Sequence, residues 1–181
     1  YKAMYKKRTG ALNEALDLIQ QLPLEEAYLK GSYYAVLLLK TQLLHLLGNY
    51  EEALTGYKTI IDEIEMLGCI DQNLRAYQLS YVKYADLLFL YGRFKDSLEV
   101  AERVLNDKNL TYPNRIEILR VKGHIYRFNH CYNQAATIYN HILNIADKKD
   151  VKAISQIYNN LAELYCFSQP LKALDYAKRS I

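Results

Sequence analysis

Prolines number three and glycines seven in this chain of 181 residues. So few chain breakers exclude a turn-rich sheet protein and suit long, uninterrupted helices. Cysteine is nearly absent as well. Cys69, Cys131 and Cys166 are odd in number and far apart, with neither the spacing of a zinc module nor that of a disulfide framework. They read as three thiols in a reducing, cytoplasmic compartment. No apolar run approaches the roughly 18 residues that cross a bilayer. The longest, "AVLLL" at 35–39, ends at Lys40. No secretory apolar segment opens the chain. Basic runs are missing too: 23 Lys and Arg are mixed with 20 Asp and Glu for a net charge of +3. Nothing therefore points to direct nucleic-acid binding or to a membrane.

What is present is apolar surface, 51% of residues, and 18 tyrosines. The apolar share is enough to bury a large core. It is distributed in copies. "LLGNYEEALTGYKTII", "LYGRFKDSLEVAERVL" and "RFNHCYNQAATIYNHIL" align on Gly48, Gly92 and His130. Two residues on stand Tyr50, Phe94 and Tyr132, and three further Ala53, Ser97 and Ala135. "TGALNEAL" adds Gly10 and Ala15, and "FSQPLKALDYA" adds Ala173 with a turn one residue shorter. The small residues Ala15, Ala53, Ser97, Ala135 and Ala173 recur at steps of 38, 44, 38 and 38. A period in this range marks stacked supersecondary units.

Upstream of each turn runs a helical face: Tyr81, Tyr84, Ala85, Leu88; then Leu119, Gly123, Tyr126; then Tyr158, Leu161, Ala162, Tyr165. Ala85, Gly123 and Ala162 share one place in it, where a missing side chain admits a neighbouring helix and a tyrosine fills the remaining space. Helix breaks are expected near residues 10, 22–23, 48–49, 68–71, 92, 107–112, 129–131, 147–150 and 168–170. Gly68 is expected as a left-handed cap, Asp150 as an N-cap and Pro113 in a first turn.

These residues resemble the tetratricopeptide repeat (TPR). "YNNLAELY" at 158–165 is similar to the first helix of that repeat, and "GNYEEAL" at 48–54 to its turn and second helix. The copies depart from the family in three ways. They run longer than its period of about 34 residues. The usual proline after the second helix is missing, and Leu37, Tyr81 or Leu119 stands at the tryptophan-like position. The longer units resemble the sensor arrays of bacterial regulators. The resemblance implies an all-α, right-handed superhelical solenoid of about five stacked antiparallel helix pairs. The units fall at roughly 1–23, 24–70, 71–111, 112–149 and 150–181 of a single array. "LKALDYAKRSI" is still amphipathic, and Tyr1 opens the chain, so the array is expected to continue into a longer protein.

No catalytic constellation is recognisable. The glycines are dispersed, and His45, His124, His130 and His141 form no i, i+4 pair. Glu25–Glu26 and Glu51–Glu52 suit helix starts, where carboxylates complement the dipole. No enzyme activity, metal or cofactor is expected. What remains is a surface. In the resembled family the first helix of each pair lines the concave face. On the first helices, away from the packing positions, stand Lys83 and Asp86; Arg120, His124 and Arg127; and Asn159, Asn160 and Glu163. The matching face of the second unit carries Leu38, Leu39, Gln42 and His45. Leu79 is read as packed. Arginine offers a planar fork to a carboxylate, and asparagine can clamp both polar groups of an extended backbone. The expected partner is a peptide or protein segment, or another domain of the same longer chain. The alternative is the ligand-sensing end of a larger STAND-type signalling ATPase or transcription regulator.

Overall fold

The structure is a computed structural model. It describes residues 2–21 and 31–181, with side chains from residue 11 onward. Among the described residues there are nine α-helices, one 3-10 turn and no strand. They are α1 (Lys2–Gln20), α2 (Tyr33–Leu47), α3 (Tyr50–Met66), α4 (Leu74–Leu90), α5 (Phe94–Leu105), α6 (Tyr112–Phe128), α7 (Tyr132–Ile145), α8 (Val151–Tyr165) and α9 (Pro170–Arg179), with the 3-10 turn at Asp71–Asn73.

The aligned turn positions share one geometry. Gly48 has φ 87°, Gly92 φ 71° and His130 φ 59°. Each closes its helix with the same pair of bonds. Gly48 N–H donates to His45 O (3.1 Å) and Asn49 N–H to Leu44 O (2.9 Å). His130 N–H donates to Arg127 O (3.1 Å) and Cys131 N–H to Tyr126 O (2.8 Å). The left-handed residue satisfies carbonyls that the helix end leaves open. Histidine thus occupies a place that glycine fills in the sister turns. Gly68, with φ 63°, ends α3 in the same way. Asp150 caps α8, accepting from Ala153 N–H at 3.1 Å, and Pro113 lies in the first turn of α6. Glu51 and Glu52 open α3.

The break expected at Gly10 does not occur. The backbone is helical through that position, inside α1. One glycine in a helix costs only about 1 kcal/mol, which the rest of a long helix absorbs. The first unit is therefore not a helix pair turning at Gly10. The break at 22–23 and the carboxylates Glu25 and Glu26 lie outside the described residues.

The chain clusters into two compact units, 1–87 and 88–181, with the boundary inside α4. In the first unit α1 packs on α2 and α2 on α3. Leu16, Leu38, Leu44, Tyr57, Ile60 and Leu87 are buried together. At Gly56 α3 approaches α2 closely: a Cβ there would stand 2.6 Å from Thr41 Oγ1. Thr41 is itself buried, and its hydroxyl returns to Leu37 O at 2.8 Å.

In the second unit consecutive helices pack in sequence order, α5 on α6, α6 on α7, α7 on α8 and α8 on α9. The first-type helices α6 and α8 also touch. Ile116, Ala135, Tyr139, Ile142, Ile157 and Leu161 form the core. Gly123 meets Tyr139 there: a Cβ on the glycine would collide with ring atom Cε1 and lie 3.0 Å from Cδ1 and Cζ. Tyr139 is fully buried, a burial worth about 1.5–3 kcal/mol for a large apolar side chain. Among the described residues no helix is long and apolar enough to cross a membrane.

Candidate functional site

In the first unit, Lys83 and Asp86 sit half-buried on α4. His45 Nδ1, on α2, lies 3.4 Å from the hydroxyl of Tyr57 on α3. Burial, then the nearby Lys83, holds the imidazole below its usual range, and Asp86 opposes this. Burial pushes the Tyr57 hydroxyl up, with Asp86 adding to the shift. Lys83 and Asp86 therefore act electrostatically on half-buried His45 and buried Tyr57 in their own unit.

The second unit gathers most of the expected residues. Arg120, His124 and Arg127 rise along α6, and Asn160 and Glu163 face them from α8. Arg127 and Glu163 form an ion pair that joins the two helices. Arg120 is claimed by its own helix: its Nη2 reaches Glu117 Oε2 at 2.5 Å, and only 23% of its side chain is exposed. The His124 ring lies among Phe89 (5.8 Å) and Tyr139 (6.2 Å). Burial is the main cause that lowers its pKa to about 4; Arg120 and Arg127 add to this, while Asn160 and Glu117 act against it. The ring is neutral at physiological pH. Asn159 is exposed and stands apart from this cluster.

The stripe is thus less open than the spacing implied. Among the described residues Arg120 Nε and Tyr139 Oη are buried with no hydrogen-bond partner, while the His124 ring and the Asn160 carboxamide face each other. Buried polar groups in folded proteins are nearly always satisfied. A buried polar group left open costs about 1–3 kcal/mol, so the surroundings of Arg120 Nε and Tyr139 Oη are suited to an added polar group or water.

Beside the Arg127–Glu163 pair the surface opens. A pocket of 430 Å³ is bordered by both residues and by Phe128, Tyr132, Leu164 and Phe167. Phe128 is 53% exposed, Tyr132 50% and Phe167 99%. A second hollow shares Arg127, Glu163 and Phe167 and continues over Ala173, Leu174 and Ala177 of α9. The exposed aromatics were missed because each reads, on its own, as a packing residue of the repeat.

The first unit holds a separate pocket of 390 Å³. Leu38, Leu39 and Gln42, the face expected on α2, form one wall. Leu79, read from the sequence as packed, lines the opposite wall while also touching the core. Gln72, Asn73 and Arg75 complete the rim from the 3-10 turn and the start of α4. Gln72 and Asn73 fall outside every helical stripe, whereas Arg75 stands one turn before Leu79 on the stripe of Lys83 and Asp86. No group of three or more His, Cys, Asp or Glu able to hold a metal occurs among the described residues.

No protein-family model matches the chain, and no curated protein matches it significantly. Solved structures do. The chain is similar to BtubC (BKLC) from P. vanneervenii, with a TM-score of 0.69, 16% identity, and coverage of 97% of this chain and 71% of that one. It is similar to a putative kinesin light chain from P. anserina with nearly identical TPR-like repeats, with a TM-score of 0.66, 14% identity, and coverage of 98% and 89%. A MamA double mutant (RS-1) superposes with a TM-score of 0.63 at 15% identity, covering 98% and 87%. The fold is therefore that of TPR-like helical repeat proteins.

Proposed function

We propose that this chain is a non-catalytic scaffold that binds a peptide or protein segment across the first helices of its pairs. The observation that supports this best is the cross-helix Arg127–Glu163 pair standing beside a pocket walled by exposed aromatics. Charge flanked by apolar recesses suits a peptide, which presents backbone amides, charged groups and apolar side chains together. TPR-like scaffolds are the fold neighbours, which agrees with this reading. The contact set is Arg127 and Glu163 at the open surface and Arg120, His124 and Asn160 behind it; Asn159 stands outside it. Lys83 and Asp86 stand in the other unit and are not part of that set.

Peptides selected against the chain from a random display library provide the test. Their Kd is measured for Arg127→Ala/Glu163→Ala and for an outer control on α5, Lys95→Ala/Glu99→Ala. The inner pair is expected to weaken binding by about 2 kcal/mol or more, the scale of a desolvated hot-spot contact. The outer pair is expected to change little. Equal affinities at equal melting temperature would remove the proposed surface.

A further inference from the structure

Three aromatic side chains that stand largely in water border the 430 Å³ pocket of the second unit: Phe128, Tyr132 and Phe167. Single exposed apolar residues are ordinary, but three around one hollow mark a binding surface. Two of these walls are held in place. The Phe128 ring meets Phe89 edge to face at 5.2 Å and lies 5.8 Å from Phe94. Tyr132 Oη lies 2.8 Å from His130 Nδ1, and the two rings stand edge to face at 5.8 Å. Phe167 is 99% exposed, so packing does not account for a phenylalanine there. Glu163 supplies charge. Its Oε2 is paired with Arg127, while Oε1 has no partner among the described residues. Arg127, the one Lys or Arg in the wall, is thereby neutralised. Ring faces carry the negative part of the aromatic quadrupole, so such walls beside a spare carboxylate oxygen complement a cation and disfavour an anion. This unit already uses its rings in that way. The Arg127 guanidinium lies 5.8 Å over the Phe128 ring, and Lys172 Nζ 3.8 Å over the Tyr165 ring.

We propose that this pocket takes a methylated ammonium group, the end of a trimethyllysine side chain on the bound peptide, seated among Phe128, Tyr132 and Phe167 with Glu163 as its counter-ion. A bare ammonium brings three N–H donors, which ring faces leave unsatisfied. Methylation removes that demand and keeps the charge. Phe167 does not roof the pocket, so a free small molecule stays partly in water, whereas a side chain arrives anchored by its own backbone. The inference rests on the peptide-binding reading of this surface and adds the group that the pocket selects.

Four probes test it: N-acetyl-trimethyllysine methylamide, its unmethylated lysine counterpart, choline, and 3,3-dimethylbutan-1-ol, which has the shape of choline without the charge. The chain has four phenylalanines. Ring-labelled phenylalanine therefore gives an NMR readout in which Phe128 and Phe167 report the pocket and Phe89 and Phe94 the packing behind it. The trimethyllysine probe is expected to titrate to saturation and to move Phe128 and Phe167 most. The lysine probe and the neutral alcohol are expected to bind about tenfold more weakly, and choline more weakly than trimethyllysine. Phe167→Ala is expected to weaken the trimethyllysine probe about tenfold at unchanged melting temperature, and Glu163→Gln to erase its advantage over the alcohol. Lysine or alcohol binding as tightly as trimethyllysine overturns the proposal, as does an absence of shifts at high millimolar probe. Tighter binding of choline overturns the assignment to a side chain. Unmethylated peptides that bind through Arg127 and Glu163 while trimethyllysine does not overturn this inference alone; failure of both removes the surface itself.

Discussion

Gly123 and Tyr139 are fitted to one another between α6 and α7: the place of a glycine Cβ is taken by the tyrosine ring, with Cδ1 and Cζ at 3.0 Å from it. The ring has nowhere to go, because Tyr139 is fully buried. Gly123→Ala gains about 1 kcal/mol of helix propensity but incurs overpacking of about 1–3 kcal/mol. The expected net result is a less stable protein. Thermal or urea denaturation checks it, and a variant at least as stable as the parent would show the contact to be yielding.

Ala135 is fully buried in the same layer. Ala135→Arg places an unpaired charge between packed helices and is expected to cost several kcal/mol, enough to unfold a marginal domain. Lys83→Ala, half-exposed on α4, is expected to stay within about 1 kcal/mol of the parent. Similar melting temperatures for the two would refute the assignment of Ala135 to the core.

His130 adopts a left-handed backbone that its sister turns give to glycine. His130→Gly relieves that strain, about 1 kcal/mol, and loses the imidazole contact with Tyr132 Oη at 2.8 Å, which is exposed and worth less. A rise in melting temperature is expected; a fall would mean the His130–Tyr132 contact outweighs the strain.

His124 makes stability depend on pH. Its folded pKa is depressed to about 4, against an unfolded value of about 6.5. Above both values neither state binds the proton. As pH falls from about 6.5 toward about 4, the unfolded chain takes it up and the folded chain does not, so stability is lost on the order of 1–3 kcal/mol across that window. Phe89, Tyr139, Arg120, Arg127 and Glu117 surround the ring from the packed elements, so the burial survives single changes at the surface. His45 shifts in the same direction in the other unit. Comparing urea midpoints of the parent and His124→Gln at pH 7 and pH 4.5 tests this. The variant is expected to lose less on acidification, and identical losses would contradict a buried neutral His124.

Much of the architecture was legible because backbone constraints are local. A left-handed turn at Gly48 and Gly92, a cap at Asp150 and a close approach at Gly123 each follow from what one residue type alone can do. His130 was legible only through its place in the alignment. Gly10 misled for the converse reason: a glycine permits a turn without requiring one. The polar stripe does lie on α6 and α8, but periodicity records which face a residue occupies and not how far a neighbour leans over it. Hence Arg120, His124 and Asn160 have buried polar atoms, while Arg127 and Glu163 border an opening. The rim residues Gln72 and Asn73 had no sequence signal at all, since a 3-10 turn has no amphipathic period.

That 3-10 turn belongs to the irregular step of the repeat. From the start of α3 to the start of α4 the chain runs from Tyr50 to Leu74, whereas from α5 to α6 it runs from Phe94 to Tyr112. The extra residues lengthen α3 and supply Gln72 and Asn73 to the pocket wall. A perfectly periodic array offers the same cradle at every step, so an elongated guest could slide by one unit and bind equally well. A single insertion removes that degeneracy. It marks one place along the chain as unlike the rest.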